Sequence, residues 1–357
     1  MNFTNLEQYL NNGIESLVKD AVRKTLKNPK ETAFLVQYAL SVKKAEEIRH
    51  KAAQRGEHIP SFLIASITSR CNLNCAGCYD RAREAASVKE EMSREEWGRI
   101  FTEAAELGIS AILLAGGEPL KRADVLEEAS RYTSILFPVF TNGIMLDSGS
   151  VHFFEKNRHL IPIISIEGGE ILTDARRGNG VYEQTMQAMK SLKEFDLLFG
   201  ASITVTKDNL FDVTREEAIA ELEEKGCKVL VFVEYVPVAT PNLALDDSGR
   251  TLLEERLASL RKLREVILVS FPGDEKESGG CLAAGRGFFH INSGGGAEPC
   301  PFSPYSDTSL KTVSLREALQ SPMFTRLRED GALLAEHTGG CALFDQAEYV
   351  QALANSP

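Results

Sequence analysis

The sequence predicts an α/β fold in three parts: a helical extension over residues 1–58, a set of six βα units over 59–245, and a small α+β segment over 246–357. Three observations carry this reading. Strand-like and helix-like runs alternate six times between about residues 60 and 240, the pattern of a parallel sheet. Each glycine-rich or polar motif in that stretch falls at the C-terminal end of a strand, where parallel α/β barrels gather their active sites. The first 58 residues show helical periodicity and no strand-rich run.

Composition bounds the function. A chain of 357 residues, 43% hydrophobic and 25% charged, can bury a large core and does not read as disordered. Its net charge of -11 argues against a broad phosphate-binding surface, so nucleic acid is not expected as a partner. No apolar run approaches the roughly 20 residues of a membrane span, and the N-terminus lacks a signal-peptide pattern. The 7 cysteines are too few for a secreted disulfide scaffold. Grouped as they are, they suit a reducing cytoplasm and a metal-binding or catalytic role.

The elements follow in order. Leu6, Leu10, Ile14, Leu17, Val18, Ala21 and Val22 mark a first helix over Asn5–Leu26, which Asn28-Pro29 breaks. A second helix runs through Phe34, Leu35, Tyr38, Ala39 and Val42, with a basic second half that includes Lys43, Lys44, Arg49, Lys51 and Arg55. Amphipathic helices usually bury a face, so this pair is expected on the outside of the main domain; a dock for substrate or partner is the alternative. Strands are expected at Phe62–Thr68, Ile109–Ala115, Ile135–Phe140, Ile161–Ile166, Ala201–Val205 and Val229–Tyr235. Ser93-Arg-Glu-Glu96 is a capping box opening a helix through Trp97, Ile100 and Phe101. Beyond residue 245, Leu252–Leu263 reads as a helix and Val266–Phe271 as a strand.

The chemistry sits in two motifs. The first strand runs into Thr68-Ser-Arg-Cys-Asn-Leu-Asn-Cys-Ala-Gly-Cys-Tyr79, and the next ends in Gly116-Gly-Glu-Pro119. Cys71, Cys75 and Cys78 can hold three irons of a [4Fe–4S] cube, since Cys thiolates are the usual ligands. With no fourth cysteine nearby, one iron is left open for a small molecule. Gly116 and Gly117 allow dihedrals and close approaches that a Cβ forbids.

These residues resemble the radical S-adenosylmethionine (SAM) superfamily. The resemblance implies a partial (β/α)6 TIM-like barrel and SAM held at the open iron through its amino and carboxylate groups. It places the amino group at the Gly116–Pro119 turn, with Gly117 or Glu118 as contacts, and the carboxylate near Arg177, with Ser165 and Thr204 at similar depth. Relatives commonly put an aromatic just before the third cysteine; here that position is Gly77, and Tyr79 follows Cys78 instead. The implied chemistry is reductive cleavage of SAM and hydrogen abstraction from substrate by the 5′-deoxyadenosyl radical, with an electron donor of the flavodoxin or ferredoxin type. No strand-rich leader-binding module is apparent near the N-terminus.

The C-terminal part resembles SPASM/twitch extensions, which hold auxiliary Fe–S clusters. Cys281 and Cys300 flank a hairpin turning at Ser293-Gly-Gly-Gly296, and Cys341 follows a helix-like stretch over Ser314–Leu319. Three cysteines allow at most one such cluster. Phe344 occupies the place of a fourth, leaving an open iron or a ligand such as Asp345. A Cys3His zinc site using His290 or His337 is the rival. Cys227 is expected to be a packed core thiol. Two substrate classes stay open, a peptide or protein side chain in maturation and a small biosynthetic molecule; an Fe–S electron carrier would leave the Gly116–Pro119 turn unexplained.

Overall fold

The computed structural model describes residues 28–82, 90–238, 240–271, 279–334 and 341–355. The expected helix at Asn5–Leu26 and His337 lie outside them. Strands β1 (Phe62–Thr68), β2 (Ala111–Gly116), β3 (Phe137–Thr141), β4 (Leu160–Ile166), β5 (Gly200–Val205) and β6 (Val229–Glu234) follow the expected alternation. Three further strands are β7 (Ile267–Phe271), β8 (His290–Ile291) and β9 (Ala297–Glu298). They form one sheet in the order β7-β6-β5-β4-β3-β2-β1-β8-β9.

The C-terminal part thus lengthens the barrel sheet at both edges. β7 pairs in parallel with β6, and β8 pairs in parallel with β1, His290 standing opposite Ile64. The two edges are bridged by aromatic rings rather than a hydrogen-bonded ladder. Phe288 is fully buried; it stacks on Phe62 of β1 at 5.2 Å between centroids and meets Phe271 of β7 edge-on at 5.8 Å.

The sheet's two faces differ in a way that defines an interior. Ile112, Leu114, Phe137, Val139, Ile164, Ala201, Ile203, Leu230 and Phe232 point outward and are buried beneath the helices, against side chains such as Phe101, Phe154, Met189 and Ile219. Alternation along a strand sends the residues between them the other way. Several of those residues, Leu113, Ala115, Phe140, Ser165, Thr204, Val231 and Val233 among them, are only half-buried. They line a concave trough.

The helix Pro29–Ala53 closes the floor of this trough, whereas packing on the outside of the domain was expected. Leu35 joins a small core with Ile161, Ile163 and Leu198, against which Phe34, Leu136, Phe140 and Val231 pack. Its polar residues bond to backbone just ahead of two strands and to a side chain just ahead of a third. The Tyr38 hydroxyl donates to the Ser110 carbonyl at 2.9 Å, and Asn28 Nδ2 to the Asp196 carbonyl at 2.6 Å. Arg49, 1% exposed, donates to the Gly108 carbonyl and to Ser110 Oγ. Glu31 pairs with Arg158 and accepts the Leu198 N–H. Because β2, β4 and β5 all start at this end, the helix spans the N-terminal mouth.

The capping box forms as expected: Ser93 Oγ accepts the Glu96 N–H, and Glu96 accepts the Ser93 N–H. No helix among the described residues is long and apolar enough to cross a membrane.

Candidate active site

The cysteine loop and the glycine turn are locked together at the opposite mouth. The Gly117 N–H donates to the Thr68 carbonyl at 2.7 Å, and the Glu118 N–H to the Arg70 carbonyl at 2.9 Å. These contacts explain both glycines. A Cβ on Gly116 would lie 2.2 Å from the Thr68 carbonyl oxygen, and one on Gly117 would lie 2.3 Å from that of Arg70. Gly116 also has φ +119°, which L side chains rarely adopt.

Glu118 turns inward. Its carboxylate, fully buried, accepts from Thr141 Oγ1 at 2.7 Å, the Asn142 N–H at 2.8 Å and the Leu120 N–H at 3.1 Å. Burial raises its pKa, and the Thr141 and Asn142 donors oppose the rise. The side chain ties the turn to the end of β3. Asn142 Nδ2 in turn donates to Asn72 Oδ1 at 2.8 Å, inside the cysteine loop. Glu91 binds the start of that loop, accepting from Thr68 Oγ1 at 2.8 Å and the Ser69 N–H at 2.9 Å.

Cys71, Cys75 and Cys78 are part-exposed at the mouth and form no disulfide. The Leu73 N–H donates to Cys71 Sγ at 3.4 Å, the kind of bond that steadies a thiolate. The three thiols lie within electrostatic reach of one another. Burial raises Cys75, while Arg177 and Arg176 pull it down. Among the described residues, no three His, Cys, Asp or Glu side chains converge tightly enough on one point for a single metal ion. A lone zinc needs its ligands within about 2.3 Å, whereas a cube takes each thiolate on a separate iron.

Arg177 sits at the centre of the expected residues. It is within electrostatic reach of Glu118, Cys75 and Cys78. Its guanidinium is held by Glu167, the residue just after β4, with Nε 2.9 Å from Oε1. Glu167 Oε2 faces Arg176 at 3.2 Å and accepts the Thr204 N–H at 3.1 Å. Ser165 and Thr204 are half-buried on the trough face of β4 and β5. Turn, arginine and hydroxyls thus share one end of one interior.

Several contributors had no visible signal in the sequence. Gly77, with φ +67°, packs against Tyr235: a Cβ there would meet the tyrosine hydroxyl at 2.9 Å. The ring beside Gly77 comes from just beyond β6. Tyr235 is buried, accepts the Thr240 N–H at 3.0 Å, and carries the Arg176 guanidinium 5.9 Å above its ring. Glu91 and Glu167 were also missed. Position offered the only clue, Glu167 and Tyr235 both falling at strand C-terminal ends.

The second cysteine set is buried. Cys281, Cys300 and Cys341 all lie in the main core, with Cys300 hydrogen-bonded to Cys341 and within electrostatic reach of Cys281. Burial raises the Cys300 thiol, and the bond it donates stabilises the thiolate of Cys341. His290 is not available as a zinc ligand, since Nδ1 is 2.7 Å from Glu298 Oε2 and Nε2 is 2.8 Å from Ser66 Oγ. Asp345 is exposed and Phe344 packs on the core. Cys227 is a core thiol, its pKa pushed up to about 12 by burial.

Known proteins resemble this chain in sequence and in fold. Residues 65–210 match the family model described as Radical SAM superfamily. The chain is 28% identical over 300 residues to the AdoMet-dependent heme synthase of Methanosarcina barkeri, covering 76% of this chain and 85% of that one. It is 27% identical over 275 residues to the PqqA peptide cyclase of Granulibacter bethesdensis, covering 72% of each. In fold it resembles Streptococcus suis SuiB, solved bound to its precursor peptide SuiA. The TM-score is 0.65 at 18% identity, over 88% of this chain and 77% of that one.

Proposed function

This chain is a radical SAM enzyme, and from that premise we propose that it modifies a side chain of a peptide or protein during maturation. What carries the reading is the lock between the Cys71–Cys78 loop and the Gly116–Glu118 turn, made by the Gly117 and Glu118 N–H groups. It sets three thiols beside a turn whose backbone can face an ammonium group. The chemistry that SAM and a reduced [4Fe–4S] cluster supply when bound is one-electron cleavage of SAM and removal of a hydrogen atom from substrate.

In this reading Cys71, Cys75 and Cys78 hold three irons, the Gly116–Gly117 backbone receives the SAM amino group, and Arg177 with Ser165 or Thr204 orients the carboxylate. Glu118 and Glu167 act one layer back, fixing the turn and the arginine. The closed floor and apolar trough keep water from the reacting carbon. Cys281, Cys300 and Cys341 hold an auxiliary cluster in the part beyond residue 245. A flavodoxin- or ferredoxin-type protein delivers the electron in the cytoplasm.

Similarity to a peptide cyclase supports a peptide substrate. A second reading, a small-molecule substrate, is favoured by the heme synthase, 85% of whose length this chain covers. Anaerobic incubation with SAM, dithionite and deuterated candidates decides between them. Deuterium appearing in 5′-deoxyadenosine with a peptide, and not with a porphyrin, is the expected result. The reverse pattern replaces the first reading with the second, and no 5′-deoxyadenosine under any condition overturns both.

A further inference from the structure

We propose that the hydroxyl of Ser303 is the fourth ligand of the auxiliary site formed by Cys281, Cys300 and Cys341. This rests on the auxiliary-cluster reading above. Three thiolates leave one iron of a cube without a protein ligand, and among the described residues few groups stand ready to fill it. Phe344 is apolar, Asp345 is exposed, and both ring nitrogens of His290 are engaged.

Ser303 differs from all of these. It is 1% exposed, and among the described residues its Oγ has no hydrogen-bond partner. A buried hydroxyl without a partner carries a desolvation cost that native proteins rarely leave standing. Its position ties it to the site. Cys300-Pro-Phe-Ser303 is a turn closed by the Ser303 N–H donating to the Cys300 carbonyl at 3.0 Å, with proline at the second position. The turn is held from outside by Phe302, whose ring packs on Tyr79. Cys300 and Ser303 therefore travel as one rigid unit.

Oxygen ligation balances simply. The hydroxyl gives its proton to solvent as it binds iron, as the thiols do, and no electron changes hands. An alkoxide is a harder donor than a thiolate, so this iron becomes distinct from the other three.

The test removes the first cluster, so that failure of this assignment is separable from failure of the wider reading. The full chain carrying Cys71→Ala, Cys75→Ala and Cys78→Ala is reconstituted anaerobically with iron and sulfide. It should hold about four irons per chain. Adding Ser303→Ala should leave the circular dichroism unchanged and make one iron labile, so that mild oxidation yields a three-iron electron paramagnetic resonance signal. Ser303→Cys should restore resistance to oxidation. Identical iron retention and spectra in the parent and Ser303→Ala would overturn the serine assignment. A parent that binds no iron, or binds stoichiometric zinc instead, would overturn the auxiliary cluster and this ligand with it.

Discussion

Tyr79, the residue after Cys78, sets its ring edge-on against Phe302, two residues after Cys300, with centroids 5.4 Å apart. The two cysteine sets are far apart in sequence, yet one aromatic pair joins their loops. Edge-to-face pairs contribute about 0.5–1.5 kcal/mol beyond the area they bury. A double-mutant cycle of Tyr79→Ala and Phe302→Ala, read by urea denaturation, should give a coupling in that range. Strict additivity would mean that the loops are anchored independently.

Each of Cys71→Ala, Cys75→Ala and Cys78→Ala should abolish 5′-deoxyadenosine formation while the far-ultraviolet circular dichroism stays native. The three thiols are part-exposed on a loop rather than buried in the core, so little packing depends on them. Normal SAM cleavage in any one of these variants contradicts the site.

Gly116→Val and Gly117→Val should displace the cysteine loop, because the added Cβ atoms would land on the Thr68 and Arg70 carbonyl oxygens. We expect SAM affinity, measured by equilibrium dialysis, to fall at least about tenfold, equivalent to about 1.4 kcal/mol. Iron content should fall as well. Wild-type affinity in both variants would show that the loop can shift without consequence.

Removing Glu167 strands Arg177 in a buried position, since their side chains are only 1% and 11% exposed. Breaking a buried pair from one side typically costs about 3–5 kcal/mol. Glu167→Ala should therefore lower the urea midpoint strongly, and loss of SAM binding should accompany it. A change under about 1 kcal/mol would place this pair with ordinary surface ion pairs.

Glu91 gives the loop a dependence on pH. Burial alone raises its carboxyl, but the Ser69 N–H, the Thr68 and Ser69 hydroxyls and Arg70 outweigh this and leave its pKa below the ordinary 4.5. The folded protein therefore binds this proton less readily than the unfolded chain. Its stabilisation is present above pH 4.5 and is lost as pH falls through the lower, folded value. Wild type and Glu91→Gln should differ in urea midpoint at pH 7 and converge at acid pH. A gap that stays constant with pH would assign the effect to shape rather than charge.

Local signals in the sequence mapped onto local structure. The bounds of β1, the capping box at Ser93 and the helix-like stretch after Ser314 depend on neighbours a few residues away. Partner choice over long distances was not legible. Val266–Phe271 reads as a strand, but nothing local says that it pairs with β6. The second half of the helix Pro29–Ala53 reads only as basic, yet Arg49 is buried against Gly108 and Ser110. The site divides in the same way. The cysteines and glycines announce themselves by spacing, whereas Glu91, Glu167 and Tyr235 matter through residues 22, 10 and 158 positions away, namely Ser69, Arg177 and Gly77.

The helix beneath β2, β4 and β5, with Leu35 and Phe34 wedged against Ile161 and Phe140, makes the barrel a cup rather than a tunnel. Among the described residues, reactants and spent products are then left the mouth ringed by the cysteine loop. A molecule seated at the floor then lies behind any other that follows it in.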